Sequence, residues 1–232
     1  DDDQENVAKM INKYGLVAVP VIDHEDCLVG IVTVDDAMLV LQDETTEDIS
    51  IMAGVSPNED SYFGTSVFQH AKNRSLWLML LMLSATVTGE ILGYYEEAMA
   101  VMPVLITFIP MLMGTGGNCG SQSSTLVIRG LAVGEIEFRD IFRVVFKEIR
   151  VALVVGTLLA VVNGIRIYIM YDQNLLLAAA LGITMISVVA MAKCIGCILP
   201  LLAKKVGVDP AIMAAPLITT ILDTCTILVY FN

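Results

Sequence analysis

The chain has 232 residues, 56% of them hydrophobic, with a formal net charge of −12, which is too apolar for an ordinary soluble domain and too acidic to attract nucleic acid. The charge is unevenly placed: residues 1–73 hold 15 acids against 3 Lys/Arg, while residues 74–232 hold 10 of each. An acidic, soluble-looking segment therefore precedes a neutral and strongly apolar one.

Asp1-Asp2-Asp3-Gln4-Glu5 opens the sequence without the basic and apolar leader of a secretory signal, so internal spans are expected to drive insertion. Gln4–Tyr14 carries Val7, Met10 and Ile11 at helical spacing, and Leu16–Ile22 and Leu28–Val34 are β-branched runs joined by the polar turn Asp23-His24-Glu25-Asp26. Thr33 with Asp36 three residues later resembles a capping box and starts a further helix. Helix, strand, strand, helix is too little to bury a core alone and reads as part of a larger domain.

Between Lys13 and Lys72 there is no Lys or Arg but there are eleven acids, Asp23, Glu25, Asp26, Asp35, Asp36, Asp43, Glu44, Glu47, Asp48, Glu59 and Asp60. Charges this dense repel, so a compact state is favoured by bound cations, and hard divalent ions with oxygen ligands suit carboxylates. On a helix Glu44, Glu47 and Asp48 share one face. A merely solvated acidic face is the alternative. A membrane-entry helix over about Thr65–Arg74, capped by Thr65, follows these acids and gives them a place from which to gate.

Five stretches are long enough to cross a hydrocarbon core of about 30 Å: Leu76–Tyr95, Ala98–Ile128, Val151–Tyr171, Asn174–Ala203 and Pro210–Asn232. Lys72 and Arg74 precede the first. Arg129, Arg139, Arg143, Lys147 and Arg150 lie between the second and third, and Lys204 and Lys205 between the fourth and fifth. The connections at Glu96-Glu97 and Asp172-Gln173-Asn174 contain no base, so the excess of bases on inner loops puts the N-terminus in the cytoplasm and the C-terminus outside. The segment Gly134–Arg150 mixes charge with Ile136, Phe138, Ile141, Phe142, Val145 and Phe146 at helical spacing, as an amphipathic helix on the inner membrane face would. The five cysteines, Cys27, Cys119, Cys194, Cys197 and Cys225, are odd in number and mostly in apolar runs. A disulfide framework is not expected, and Cys194 with Cys197 reads as two small residues on one helix face.

Ionisable groups inside a span are costly and mark function. Asp223 lies 13 residues past Pro210, roughly 20 Å along the fifth span, with Thr219, Thr220 and Thr224 adding oxygens nearby. It reads as a cation site or as the structural partner of a base. Lys193, about 15 Å from the inner end of its span, has a stem long enough for partial snorkelling. Arg166 is a surface anchor. In the second stretch, Pro103, Pro110, Gly114, Gly116, Gly117 and Gly120 predict a kinked or locally unwound helix lining a wet cavity, or close packing through small residues. If helix resumes, Asn118, Gln122, Thr125 and Arg129 form one polar stripe. Magnesium keeps several of its waters and binds through one or two carboxylates, so one intramembrane Asp per chain, doubled by a two-fold axis, suits a hydrated ion.

PMLMGTGGNCGSQSSTLVIRGLA (Pro110–Ala132), VFKE (Val145–Glu148) and VDPAIMAAPLITTILD (Val208–Asp223) resemble the MgtE family of magnesium channels. LVAVPVIDHEDCLVGIVTVDDA (Leu16–Ala37) resembles the end of a second CBS domain, and TTEDI (Thr45–Ile49) the entry to the family's plug helix. The resemblance implies a mainly α membrane protein of five transmembrane helices per chain behind a partial α/β CBS-type cytoplasmic segment, with a homodimeric pore in the cell membrane. The matching units are residues 1–53 (CBS-like), 54–74 (a plug-like connecting helix) and 75–232 (membrane). It implies that Asp223 holds hydrated magnesium, with Asn118, Gln122, Thr219 and Thr220 lining the pore. Regulatory magnesium would bind among Asp36, Glu44, Glu47 and Asp48, with Asp3 and Glu5 nearby. The implied function is a magnesium-selective channel gated by intracellular magnesium, with no catalytic residues. Manganese or cobalt transport, or a non-conducting divalent-ion sensor anchored in the lipid bilayer, are the alternatives. The sequence departs from the family in lacking its N-terminal helical domain and most of its CBS pair, in Gly15 where many members have Asp, and in Thr226 where Gly is common.

Overall fold

The computed structural model describes residues 3–58, 60–171 and 174–232; the expectations on Asp1, Asp2, Glu59, Asp172 and Gln173 lie outside the described residues. The chain is mainly helical. It begins with α1 (Gln4–Tyr14), whose N-cap Asp3 accepts from the backbone N–H of Glu5 and which ends at Gly15 in the left-handed region, φ 61°. A glycine there costs no Cβ clash. Strands β1 (Ala18–Ile22) and β2 (Leu28–Thr33) pair antiparallel, with Ala18 opposite Thr33 and an irregularity at Val21/Ile22. The Thr33–Asp36 capping box forms as expected and starts α2 (Val34–Met52). Ala8, Ile11 and Ala37 are buried between α1, the sheet and α2. Most of the sheet's other apolar residues stay exposed, Ile22, Leu28, Val29 and Ile31 among them.

The connecting helix expected over residues 54–74 does not begin until Val67. The described residues between α2 and Val67 form turns and loop, and α3 (Val67–Tyr94) then runs unbroken into the apolar stretch. Its N-cap is Ser66 rather than Thr65, because Thr65 is occupied elsewhere: its hydroxyl accepts from Asn58 Nδ2 at 2.8 Å and donates to the Ser61 carbonyl at 3.1 Å.

The stretch Ala98–Ile128 is not one helix. It divides into α4 (Glu96–Val101), a 3₁₀ turn (Pro103–Phe108) and α5 (Ile109–Ala132). The break lies at the prolines, not at the glycines. Pro103 drives Met102 out of the helical region to φ −136°, ψ 78°, whereas Pro110 in the first turn of α5 lacks an N–H that would be unpaired there anyway. α5 continues through Gly114, Gly116, Gly117 and Gly120 without a gap.

After a 3₁₀ turn (Phe138–Asp140), α6 (Ile141–Met170) carries the amphipathic segment directly into the apolar one. α7 (Leu175–Val206), a 3₁₀ turn (Pro210–Met213) and α8 (Ala215–Phe231) complete the chain. Among the described residues three helices are long and apolar enough to cross a membrane: Val67–Tyr94, Phe138–Met170 and Leu175–Val206. A shorter apolar helix covers Pro216–Phe231. The main core sits where α5, α6, α7 and α8 meet, around Leu112, Ala152, Leu181, Val189, Ala192, Ile218 and Leu222.

Candidate functional site

Two sets of polar groups stand apart from this core. The first is acidic. Glu44 and Asp48 on α2 line a groove of about 570 Å³ with Asp3 and Glu5 from the start of α1 and with Asp209, which opens the last apolar segment. Lys9 and Lys204 are the bases in its wall. Glu47 lies one groove over, in a space of about 620 Å³ shared with Asp43 and Glu44. Asp36 is not brought to either. Its carboxylate accepts from the Thr33 hydroxyl at 2.6 Å and the Thr33 N–H at 3.2 Å, and those hydrogen bonds hold it below the usual carboxylate range.

Burial pushes the Asp48 carboxyl up, and the charges of Asp209 and Glu5 add to the rise while Lys9 opposes it. Glu44 is raised by burial and then by Glu5, Glu47, Asp3 and Asp48. The carboxylates therefore hold each other in an unfavourable charged state, which a proton or a cation relieves. Because these folded values are raised, the folded state binds more protons than the unfolded one, and the charged form's penalty grows as pH rises from the ordinary carboxylate range through the raised values. As pH rises from the ordinary carboxylate range we expect cleavage of residues 34–70 by an added protease to rise, and to rise less with Asp209→Asn. A flat profile in the parent chain would show that the acids are not coupled. Among the described residues no three His, Cys, Asp or Glu side chains converge closely enough to hold a metal. A divalent ion here would have to be held through its waters, or only after the carboxylates draw in.

Asp209 is the member of this set that sequence reasoning passes over. Its local role is plain, since its carboxylate caps the following turn by accepting from Ala211 N–H at 2.8 Å. Nothing in the sequence places position 209 beside position 48.

The second set lies on the helices α5 and α8. Asp223 stands midway along α8, eight residues from each end and so about 12 Å along the axis from either. It is partly exposed and has no ion-pair partner among the described residues. Thr219 and Thr226 flank it at helical spacing, and both lie against α5: a Cβ added to Gly117 would fall 3.0 Å from Thr219, and one on Gly116 would fall 2.9 Å from the Thr226 hydroxyl. The hydroxyls of Thr219 and Thr220 donate to the Pro216 carbonyl at 3.0 and 2.9 Å, and that of Thr224 bonds Thr88 of α3 at 2.6 Å. These oxygens can still accept, but they are not idle. On α5, Asn118, Gln122, Thr125 and Arg129 are all exposed on one stripe, while Gly116, Gly117 and Gly120 on the other side are buried. Gly120 meets Ile218 of α8 and the Ala192 carbonyl of α7. The glycines serve close packing, which leaves the polar stripe outward beside the α5–α8 seam.

Lys193 does not snorkel. It is 4% exposed, its ammonium lies 3.5 Å from Glu148 of α6 and donates to Ser123 Oγ of α5 at 3.2 Å, and that hydroxyl donates to the same Glu148 oxygen at 2.6 Å. A sequence reading weighs Lys193 alone; its partner 45 residues away in VFKE is visible only in the fold. The cysteines are free, and Cys197 Sγ donates to the Cys194 carbonyl one turn back at 3.2 Å.

Residues 109–232 match a family profile described as a divalent cation transporter, MgtE, and residues 1–43 match the CBS domain. The chain belongs to the MgtE family. Among its curated relatives, the magnesium transporters MgtE of Thermus thermophilus, Bacillus subtilis and Enterococcus faecalis are 38%, 37% and 36% identical. The matches take in 100%, 99% and 100% of this chain and 51%, 50% and 50% of those proteins. The chain thus spans about half the length of the curated relatives it matches. The CBS match ends inside α2, upstream of Glu44, so Glu44, Glu47 and Asp48 sit on the part of α2 beyond the CBS match, while Asp3 and Glu5 lie within it and Asp209 within the MgtE match.

Proposed function

We propose that this chain forms the membrane half, with its adjoining gate, of a magnesium-selective channel regulated by intracellular magnesium and working as a homodimer. The observation that carries the reading is Asp223, a mid-helix carboxylate without a basic partner among the described residues, set beside an outward polar stripe. Its rival role, as structural partner to a base, loses its best candidate because Lys193 is already matched by Glu148. Five crossings fit this reading if α4, the 3₁₀ turn and α5 together make the second and Pro210–Phe231 the fifth, with the N-terminus cytoplasmic and the C-terminus outside. The units are then 1–53, a connector 54–74 that is helical only from Val67, and 75–232.

Two copies of Asp223 facing across a two-fold axis would bind one hydrated magnesium ion through its waters, with Asn118, Gln122, Thr219 and Thr220 as further oxygen donors. Magnesium among Glu44, Glu47, Asp48, Asp3, Glu5 and Asp209 would offset their repulsion and hold the acidic segment against the membrane part. Its loss at low internal magnesium would let that repulsion open the path. No catalytic step is assigned to any residue.

Magnesium uptake into liposomes by the parent chain and by Asp223→Asn tests the pore assignment. Uptake by the parent and its loss in the variant are expected, and undiminished flux in the variant would sink it. Absence of flux in both would favour a non-conducting sensor, and equal transport of manganese or cobalt in competition would remove the magnesium selectivity. The regulatory site has its own check: magnesium should slow proteolysis of residues 36–70 in the parent and do so less in Glu44→Gln/Asp48→Asn.

A further inference from the structure

α6 presents two opposite stripes. One is buried in the core through Ala152, Gly156, Ala160, Asn163 and Ile167. The other, at spacings of four and three, begins with three exposed bases, Arg143, Lys147 and Arg150. It continues without interruption as Val154, Leu158, Val161 and Ile165, which are 55–73% exposed. Asp140 heads this stripe at the N-cap of α6, where its carboxylate accepts from the Glu137 N–H at 3.1 Å. Glu148 is turned inward to Lys193, Glu137 is engaged by Arg139, and among the described residues none of the three bases has an ion-pair partner. Between the charged and apolar parts lies a shallow groove of about 640 Å³, lined by Lys147, Arg150, Val151, Leu153 and Val154. Phe146 stands beside it with the Arg150 guanidinium 6.0 Å from its ring centroid.

We infer that this face of α6 is a binding site for an anionic phospholipid, the phosphate held by Lys147 and Arg150 and one acyl chain laid along Val154 to Ile165. The dimensions fit. Eleven residues of helix separate Val154 from Ile165, about 16 Å, close to half the roughly 30 Å hydrocarbon thickness of a bilayer, which is the depth of one leaflet. The chemistry fits as well: a double-basic head site with an aromatic side chain at its rim and an apolar run beneath it is complementary to an amphiphile that is anionic at one end. A second copy of this chain is the poorer occupant, since a two-fold contact through this stripe would set bases against bases.

The site is tested on the full chain in nanodiscs made from equal phosphatidylglycerol and phosphatidylcholine, by measuring which lipid stays bound when the protein is taken back into detergent. At about fivefold for each base near the surface, the two bases should enrich phosphatidylglycerol about thirtyfold. Lys147→Gln/Arg150→Gln should abolish the enrichment, and the charge-keeping Lys147→Arg/Arg150→Lys should retain most of it. Equal retention of the two lipids by the parent chain overturns the proposal whatever the variants do. So does loss of the preference in millimolar inorganic phosphate, which would mark a free-anion site. A change of oligomeric state in the Gln pair with lipid preference intact would assign the face to a second copy and likewise overturn it.

Discussion

Replacing Lys193 with methionine is expected to destabilise the membrane part by about 3–5 kcal/mol, the cost of leaving a buried carboxylate without its counter-charge. Methionine fills nearly the volume of the lysine stem, so the loss is electrostatic rather than a cavity. Glu148 sits with only 13% of its side chain exposed and would keep the Ser123 hydroxyl as its one remaining donor. Glu148→Gln should cost about as much as Lys193→Met, because the amide still accepts from Ser123 but strands an ammonium that is the more buried of the two charges, 5% against 13% exposed. The double variant Lys193→Met/Glu148→Leu should recover most of the loss, since a well-packed apolar pair often equals or exceeds a buried ion pair in stability. Thermal unfolding in detergent, followed by the fluorescence of Trp77, measures all three. Additive single and double losses would show that the two charges are not coupled. The pair ties α5 to α6 and α7 at three points on one network, so the same experiment asks what holds the polar stripe of α5 facing outward.

The parts of this fold that were legible in the sequence are those fixed by local chemistry. The Thr33–Asp36 box, the α1 periodicity and the apolar lengths of α3, α6 and α7 depend on neighbours within a turn or two, and each forms where expected. What was hidden depends on partners far along the chain. Thr65 has the composition of an N-cap, but Asn58 and Ser61 engage it, and Ser66 caps α3 instead. The glycines of α5 read equally as helix breakers or as a close-packing face, and it is the contacts with Ile218, Thr226 and the backbone of α7 that decide for packing. Lys193 looks like a snorkelling residue until Glu148 is seen beside it. The acidic site was half legible: Glu44 and Asp48 follow from helical spacing, while Asp209 joins them only because the 3₁₀ turn before α8 packs near α2.

Gly196→Ala is expected to be the most disruptive single methyl in the chain. A Cβ at Gly196 would fall within contact distance of the Gly120 carbonyl oxygen, with the Gly120 Cα and carbonyl carbon each 3.0 Å away. Every one of these obstacles is backbone, so no rotamer change relieves the clash, and α5 and α7 must move apart along their crossing. Overpacking of a core typically costs about 1–3 kcal/mol where side chains can yield; here the cost should reach the upper end or pass it. Gly182→Ala on the same helix supplies the comparison, since its Cβ would meet only Ala160 Cβ at an ordinary 3.7 Å. That substitution should be neutral or stabilising by up to about 1 kcal/mol through the higher helix propensity of alanine. Equal melting temperatures for the two variants would show that α5 and α7 do not cross at Gly120 and Gly196. On the proposed function, in which Asn118 and Gln122 of α5 line the path, separation at this crossing should lower magnesium flux in Gly196→Ala more than the residual folded fraction accounts for. Gly182→Ala should leave flux at the parent level.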